Sequence, residues 1–151
     1  MSRRHFGLLR SITWLIAALA TYASAAGLLV HPLYGDMALG PAMRGQDLLT
    51  LLVSPLLVFV SLQRAHAPVR ASLRLGLLGY LLYTYTGAAF AYPFNALFLV
   101  YIALFSLCAT ALWLELRQLD LPELSQQLGA RAPRRAAVFL LFVACVLAVS
   151  E

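Results

Sequence analysis

Apolar residues gather along this chain in long uncharged runs, and short stretches between the runs hold nearly all of the charge. This is neither the two-residue alternation of a half-buried strand nor the narrow apolar stripe of a surface helix; it is the pattern of helices that are apolar all round. The clearest run is 75–114, LGLLGYLLYTYTGAAFAYPFNALFLVYIALFSLCATALWL, which contains no charged side chain. The hydrocarbon of a bilayer is about 30 Å thick and a helical residue rises about 1.5 Å, so a span takes about 20 residues. The run therefore predicts two spans joined by a tight turn at Tyr92, Pro93 and Asn95. Taken along the whole chain, the pattern predicts spans over 11–30, 47–62, 75–92, 94–114 and 136–150. The expected fold class is all-α: a polytopic membrane helical bundle of about five transmembrane helices forming a single domain, with the N-terminus cytoplasmic.

Each run carries further detail. In the first, Ala17, Thr21 and Ala25 recur every four residues beside Ala20 and Ser24, which lets another helix approach closely. The same segment also fits a secretory signal peptide, with Ala23-Ser24-Ala25 as a small-x-small cleavage site, and both readings stay open. Residues 31–46 read as a loop broken by Pro32, Gly35, Gly40, Pro41 and Gly45. In the second run Pro55 cannot donate to the carbonyl of Leu51 and is expected to kink the helix. Asp47, Thr50, Ser54 and Ser61 form a polar stripe along it. At 100° per residue the third run places Gly76, Gly79, Tyr80, Tyr83, Thr84, Gly87 and Phe90 on one side and Leu77, Leu78, Leu81, Leu82 and Tyr85 on the other. The leucine side is expected to meet lipid and the glycine–tyrosine side protein. Asp120 with Glu123 reads as a capping box for a short interfacial helix carrying Leu121, Leu124 and Leu128. The last run is short for a span, about 21 Å over 136–149; it either crosses a thinned bilayer or belongs to a longer protein.

Composition supports the membrane reading. The chain is 62% hydrophobic and 11% charged, with a mean hydropathy of +0.84, whereas about a quarter of a soluble domain is charged. Its partner is thus the lipid bilayer. The net charge of +5 marks topology rather than a nucleic-acid surface, because the basic residues are all arginines between the runs. With five spans, every arginine except Arg44 falls on one side, which predicts an inner-membrane protein with the N-terminus inside and the turn at Tyr92 to Asn95 and the C-terminus outside. Cys108 and Cys145 sit within apolar runs as fillers. His5, His31 and His66 lie in separate segments, so no metal set forms and no cofactor is called for.

The chemistry-bearing residues are few. No G-x-S-x-G, H-E-x-x-H, Walker loop or C-x-x-C is present, and no span holds paired carboxylates. The candidate binding residues are Asp47, Thr50 and Ser54 from the second span, Tyr80, Tyr83 and Thr84 from the third, and Tyr92 and Asn95 at the turn. Together they would line an outward-facing polar and aromatic pocket for a small ligand or ion. Asp47 and Asn95 serve equally well as helix caps, and Glu115 beside Arg117 reads as a solvated pair. The expected function is binding or permeation of that ligand, with no catalytic residue assigned. The alternatives are a non-catalytic accessory subunit of a membrane complex, or a homo-oligomer, and a membrane enzyme that borrows a cofactor or a partner's residue.

Residues 45–107 carry GQDLLTLLVSPLL and then GYLLYTYTGAAFAYPFNALFLVYIALFSL. In these, a GQD before one span and a Tyr-rich span leading into FNALFLVYIALF, the chain resembles a group of uncharacterised multi-pass membrane proteins of GC-rich bacteria. The resemblance covers under half of the chain. It implies longer proteins with at least one further span, and no particular activity, cofactor or substrate.

Overall fold

The structure, a computed structural model, describes residues 3–30, 40–63, 68–91 and 94–118. They form four helices: α1 (Arg3–Leu29), α2 (Gly40–Leu62), α3 (Pro68–Phe90) and α4 (Phe98–Gln118), with no strand among the described residues. The expected fifth span over 136–150, the interfacial helix at 120–128 and the C-terminus lie outside the described residues. Three helices are long and apolar enough to cross a membrane: Gly7–Leu29, Gly40–Leu62 and Phe98–Gln118. By length α3 equals α2, 23 residues each. It differs in composition, with Arg70 and Arg74 in its first turns and Tyr80, Tyr83, Thr84, Tyr85 and Thr86 in its second half.

The helix limits depart from the expected ones for local reasons. α2 begins at Gly40 rather than 47, because Pro41, with no N–H to lose and φ already helical, suits a first turn. α3 begins at Pro68 rather than 75 by the same rule. α4 begins later than expected because Asn95 heads it. The Leu97 N–H donates to Asn95 Oδ1 at 2.9 Å and the Phe98 N–H to the Asn95 carbonyl at 3.1 Å, two of the orphan donors of a helix start. α2 continues through Pro55 to Leu62 as one helix.

Each helix packs on its neighbours in sequence, and α4 closes onto α1. Arg74 near the start of α3 meets Glu115 near the end of α4, and Tyr80 of α3 meets Gln46 and Thr50 of α2, so neighbouring helices run antiparallel. One end of the bundle thus gathers the end of α1, the start of α2, the end of α3 and the start of α4. The buried positions follow three- and four-residue steps: Leu9, Thr13, Ile16, Ala20 and Ala23 in α1, and Tyr101, Leu104, Cys108, Ala111 and Glu115 in α4. That spacing keeps one seam facing the partner along the whole helix length. At mid-height Ile16, Leu57, Leu78, Leu81, Leu104 and Cys108 form a dry plug.

Large apolar side chains also lie on the outside. Leu15, Leu48, Leu52, Phe59, Leu99 and Trp113 are among the many large apolar side chains that are exposed, a surface suited to lipid or to another helix. The exposed hydroxyls of Thr86, Ser106 and Thr110 each donate to the carbonyl four residues earlier, at 2.7, 2.9 and 2.8 Å. Bonding back onto its own helix satisfies such a group without water, as a polar group in hydrocarbon would require.

The faces expected for the third span are inverted. Leu77, Leu78, Leu81 and Tyr85 are buried, while Tyr83 is 72% exposed and Phe90 is exposed as well. A side chain added at Gly76, Gly79 or Gly87 would meet open space. The interior of four helices is wide enough to need the large leucines to fill it, and the small residues are left outside. Tyr80 and Thr84, at the border between the two faces, turn inward with the leucines.

Candidate functional site

The polar residues concentrate where α2 begins and α3 ends. Met43, Gln46 and Asp47 of α2, Thr84, Tyr85 and Ala88 of α3, and Tyr101 of α4 line a partly enclosed cleft. About 20 Å³ of it is open to the centre of a water molecule. Pockets for organic ligands measure roughly 300–1,000 Å³, so this cleft is far smaller than a site that encloses one. Asp47 reaches it because it stands seven residues into α2, near the level of the last turns of α3. Thr84 and Tyr85 reach it because they continue the buried seam of Leu77, Leu78 and Leu81 toward that end.

Around the cleft the hydroxyls are linked by long bonds. Tyr80 Oη donates to the Gln46 carbonyl at 3.4 Å and lies 3.4 Å from Thr50 Oγ1, which is placed to donate to it in turn. Tyr85 Oη donates to the Ala20 carbonyl at 3.5 Å, tying α3 to α1, and its ring stacks on Tyr101 with centroids 6.2 Å apart. Strong O–H···O bonds lie at about 2.7–2.8 Å, so these contacts are weak. Among the described residues, the buried hydroxyls that make no hydrogen bond include Thr84 Oγ1 in the cleft wall and Ser54 Oγ one turn beyond Thr50.

Of the residues singled out in the sequence, Asp47 and Thr84 line the cleft, and Thr50, Ser54 and Tyr80 lie buried or partly buried beside it. Asn95 caps α4, with its side-chain oxygen engaged by Leu97. Tyr83 points away from the bundle, and Tyr92 lies outside the described residues. The sequence reading missed Gln46, Tyr85 and Tyr101 as wall residues. Tyr101 was visible in principle, since it heads the 3–4 run Tyr101, Leu104, Cys108, Ala111, Glu115.

It also misplaced Glu115. Rather than forming a solvated pair with Arg117, Glu115 is 3% exposed and faces Arg74, whose side chain is 18% exposed. Arg74 Nη2 donates to Glu115 Oε2 at 3.1 Å, and Nε lies 2.9 Å from Oε1 as a second ionic contact whose angle is poor for a hydrogen bond. Arg117 instead lies over the Trp113 ring, 4.6 Å from its centroid, a cation–π contact at the rim.

No protein-family profile, curated protein or solved structure matches this chain.

Proposed function

We propose that this chain is a multi-pass integral membrane protein of a bacterial inner membrane, N-terminus inside, whose outward half binds a small ligand or ion in the cleft at Asp47. The observation that carries the reading is the meeting of a carboxylate-bearing residue, Asp47, with the unpaired buried hydroxyl of Thr84 at a gap large enough for one small species. Ionisable groups are costly inside a membrane protein and tend to mark ion or substrate positions. The arginine asymmetry supports the orientation, which turns the cleft outward. The plug of Leu57, Leu78, Leu81 and Leu104 below it favours binding over open conduction: permeation would require the helices to rearrange.

A second reading, a non-catalytic subunit of a membrane complex, draws support from the outer face of α3. That helix is less apolar than its neighbours, and its exposed side offers Gly76, Gly79 and Gly87 with nothing against them, a surface on which another helix can lie close.

Sided thiol labelling tests the first reading. In a chain lacking Cys108 and Cys145, Asp47→Cys is expected to react with a small impermeant thiol reagent from the outside only, and Gln63→Cys, after the end of α2, from the inside only. Labelling of Asp47→Cys from the inside, or from neither side, would defeat an outward-facing cleft.

A further inference from the structure

We infer that the exposed face of α3 is the contact through which two copies of this chain pair in the membrane, side by side and parallel, with Tyr83 at its centre. The inference rests on the subunit reading above and names the partner as a second copy. The exposed positions of α3 from its second turn onward are Leu73, Gly76, Tyr83, Thr86 and Phe90, with half-buried Gly79 filling the one gap. Steps of three and four residues, with 76, 83 and 90 repeating every seven, are the spacing of a seam between two helices. The outer side of α2 carries Leu48, Leu52 and Phe59; that of α3 carries glycines, a threonine and two aromatic rings. Glycine weakens a helix interior, and nothing within the chain packs against Gly76, Gly79 or Gly87. The close approach that they permit therefore serves a helix from outside the chain.

Tyr83 is the independent observation. The residue is 72% exposed, and its hydroxyl makes no hydrogen bond among the described residues, whereas the Thr86 hydroxyl on the same face bonds back to Leu82. Tyr83 stands near the middle of the uncharged stretch 75–92, roughly 12–14 Å from either end at about 1.5 Å per residue, where lipid offers a hydroxyl nothing to bond. Three observations select a second copy as what covers it. Copies of one chain insert with the same orientation, so two Tyr83 side chains lie at one depth, and because a hydroxyl both donates and accepts, each completes the other across a two-fold axis. The face from Leu73 to Phe90 carries no charge, since Arg74 turns to Glu115 instead, so no like charges meet across that axis. In the residues that follow α4, 119–151, the long apolar run is 136–149, and it has no hydroxyl, amide or charged side chain to offer Tyr83. The Phe90 ring is already held edge-on by Phe105, with centroids 5.4 Å apart, so that end of the seam is ordered before a partner arrives.

The test is disulfide trapping of single-Cys variants in native membranes, in a full chain lacking Cys108 and Cys145, with native mass in detergent as the second measurement. On mild oxidation Tyr83→Cys and Thr86→Cys are expected to give a cross-linked species of twice the 16.5 kDa chain, while Leu52→Cys and Leu99→Cys, on the exposed sides of α2 and α4, stay monomeric. In detergent the parent is expected to pass from dimer to monomer on dilution. Gly79→Leu should raise the dissociation constant at least tenfold and Tyr83→Phe about threefold, with little change in the unfolding of the monomer. The inference is overturned by equal cross-linking at all four positions, which marks random collision, by a dimer as tight in Gly79→Leu as in the parent, or by a Tyr83→Cys chain that forms no link to another copy. In that last case the product shows what else falls. A cross-link to a different protein leaves the subunit reading standing. A disulfide within one chain to a retained Cys145 gives the face to the run 136–149, and no product at all gives it to lipid; either ends the subunit reading of α3 as well.

Discussion

At the end of the bundle where α3 begins and α4 finishes, Arg74 and Glu115 meet in a two-point ion pair, one partner nearly sealed from solvent and the other mostly so. At the opposite end of the same two helices, Asp47, Thr84, Tyr85 and Tyr101 converge on a small gap, with the hydrogen bonds around it stretched and the Thr84 hydroxyl unpaired. Both ends bury polar groups against an apolar exterior. They differ in whether the protein itself completes them. A buried polar atom left unpaired costs about 1–3 kcal/mol; at the Arg74 end opposite charges 2.9 Å apart offset that demand, whereas the Thr84 hydroxyl near Asp47 has no hydrogen bond. The closed end clamps α3 to α4; the other leaves the Thr84 hydroxyl without a hydrogen bond.

The largest expected effect comes from breaking the closed end. Glu115→Ala removes the carboxylate that Arg74 faces, and losing one partner of a buried pair costs about 3–5 kcal/mol. The value should fall toward the lower limit because Arg74 keeps 18% of its side chain exposed. The paired change Arg74→Met with Glu115→Leu should recover most of the loss. Chemical unfolding in detergent measures both, and a Glu115→Ala cost below 1 kcal/mol would show that the pair contributes no clamp.

Next in size is the plug that separates the two ends. Leu81→Ala removes a side chain with no exposure and should cost about 2–5 kcal/mol, whereas Gly79→Leu projects into open space and should stay within about 0.5 kcal/mol. The reverse order would restore the leucine-to-lipid assignment of α3. A Gly79→Leu chain of normal stability but lower native mass would identify the outer face of α3 as the contact with another subunit, sharpening the second functional reading.

That pair of substitutions also marks where the sequence was legible. The helices could be read because hydrocarbon thickness dictates run length, and the cap at Asn95 was one of two uses left open for it, because an Asx side chain before an apolar run suits a helix start as well as a site. The facing of α3 could not, because in a membrane both sides of a helix are apolar and hydrophobicity no longer separates inside from outside; the volume needed to fill the interior decides. The Arg74–Glu115 pair joins residues 41 apart in sequence and becomes visible only once α3 and α4 are folded about the turn at 94–95, from which the two stand equally far. Asp47 and Thr84, both singled out in the sequence, line the same cleft, but its small size follows from how closely Met43, Tyr85, Ala88 and Tyr101 pack around them, which no spacing encodes.

The contrast between a completed end and an open one is tested most directly by the unfolding free energy of Thr84→Val. If the Thr84 hydroxyl is unpaired in the empty cleft, removing it relieves a buried polar atom, and the variant should be as stable as the parent or more stable by about 1 kcal/mol. A loss of about 1 kcal/mol or more, the mark of a hydrogen bond broken, would show that the outer end is already complete and would contradict the account.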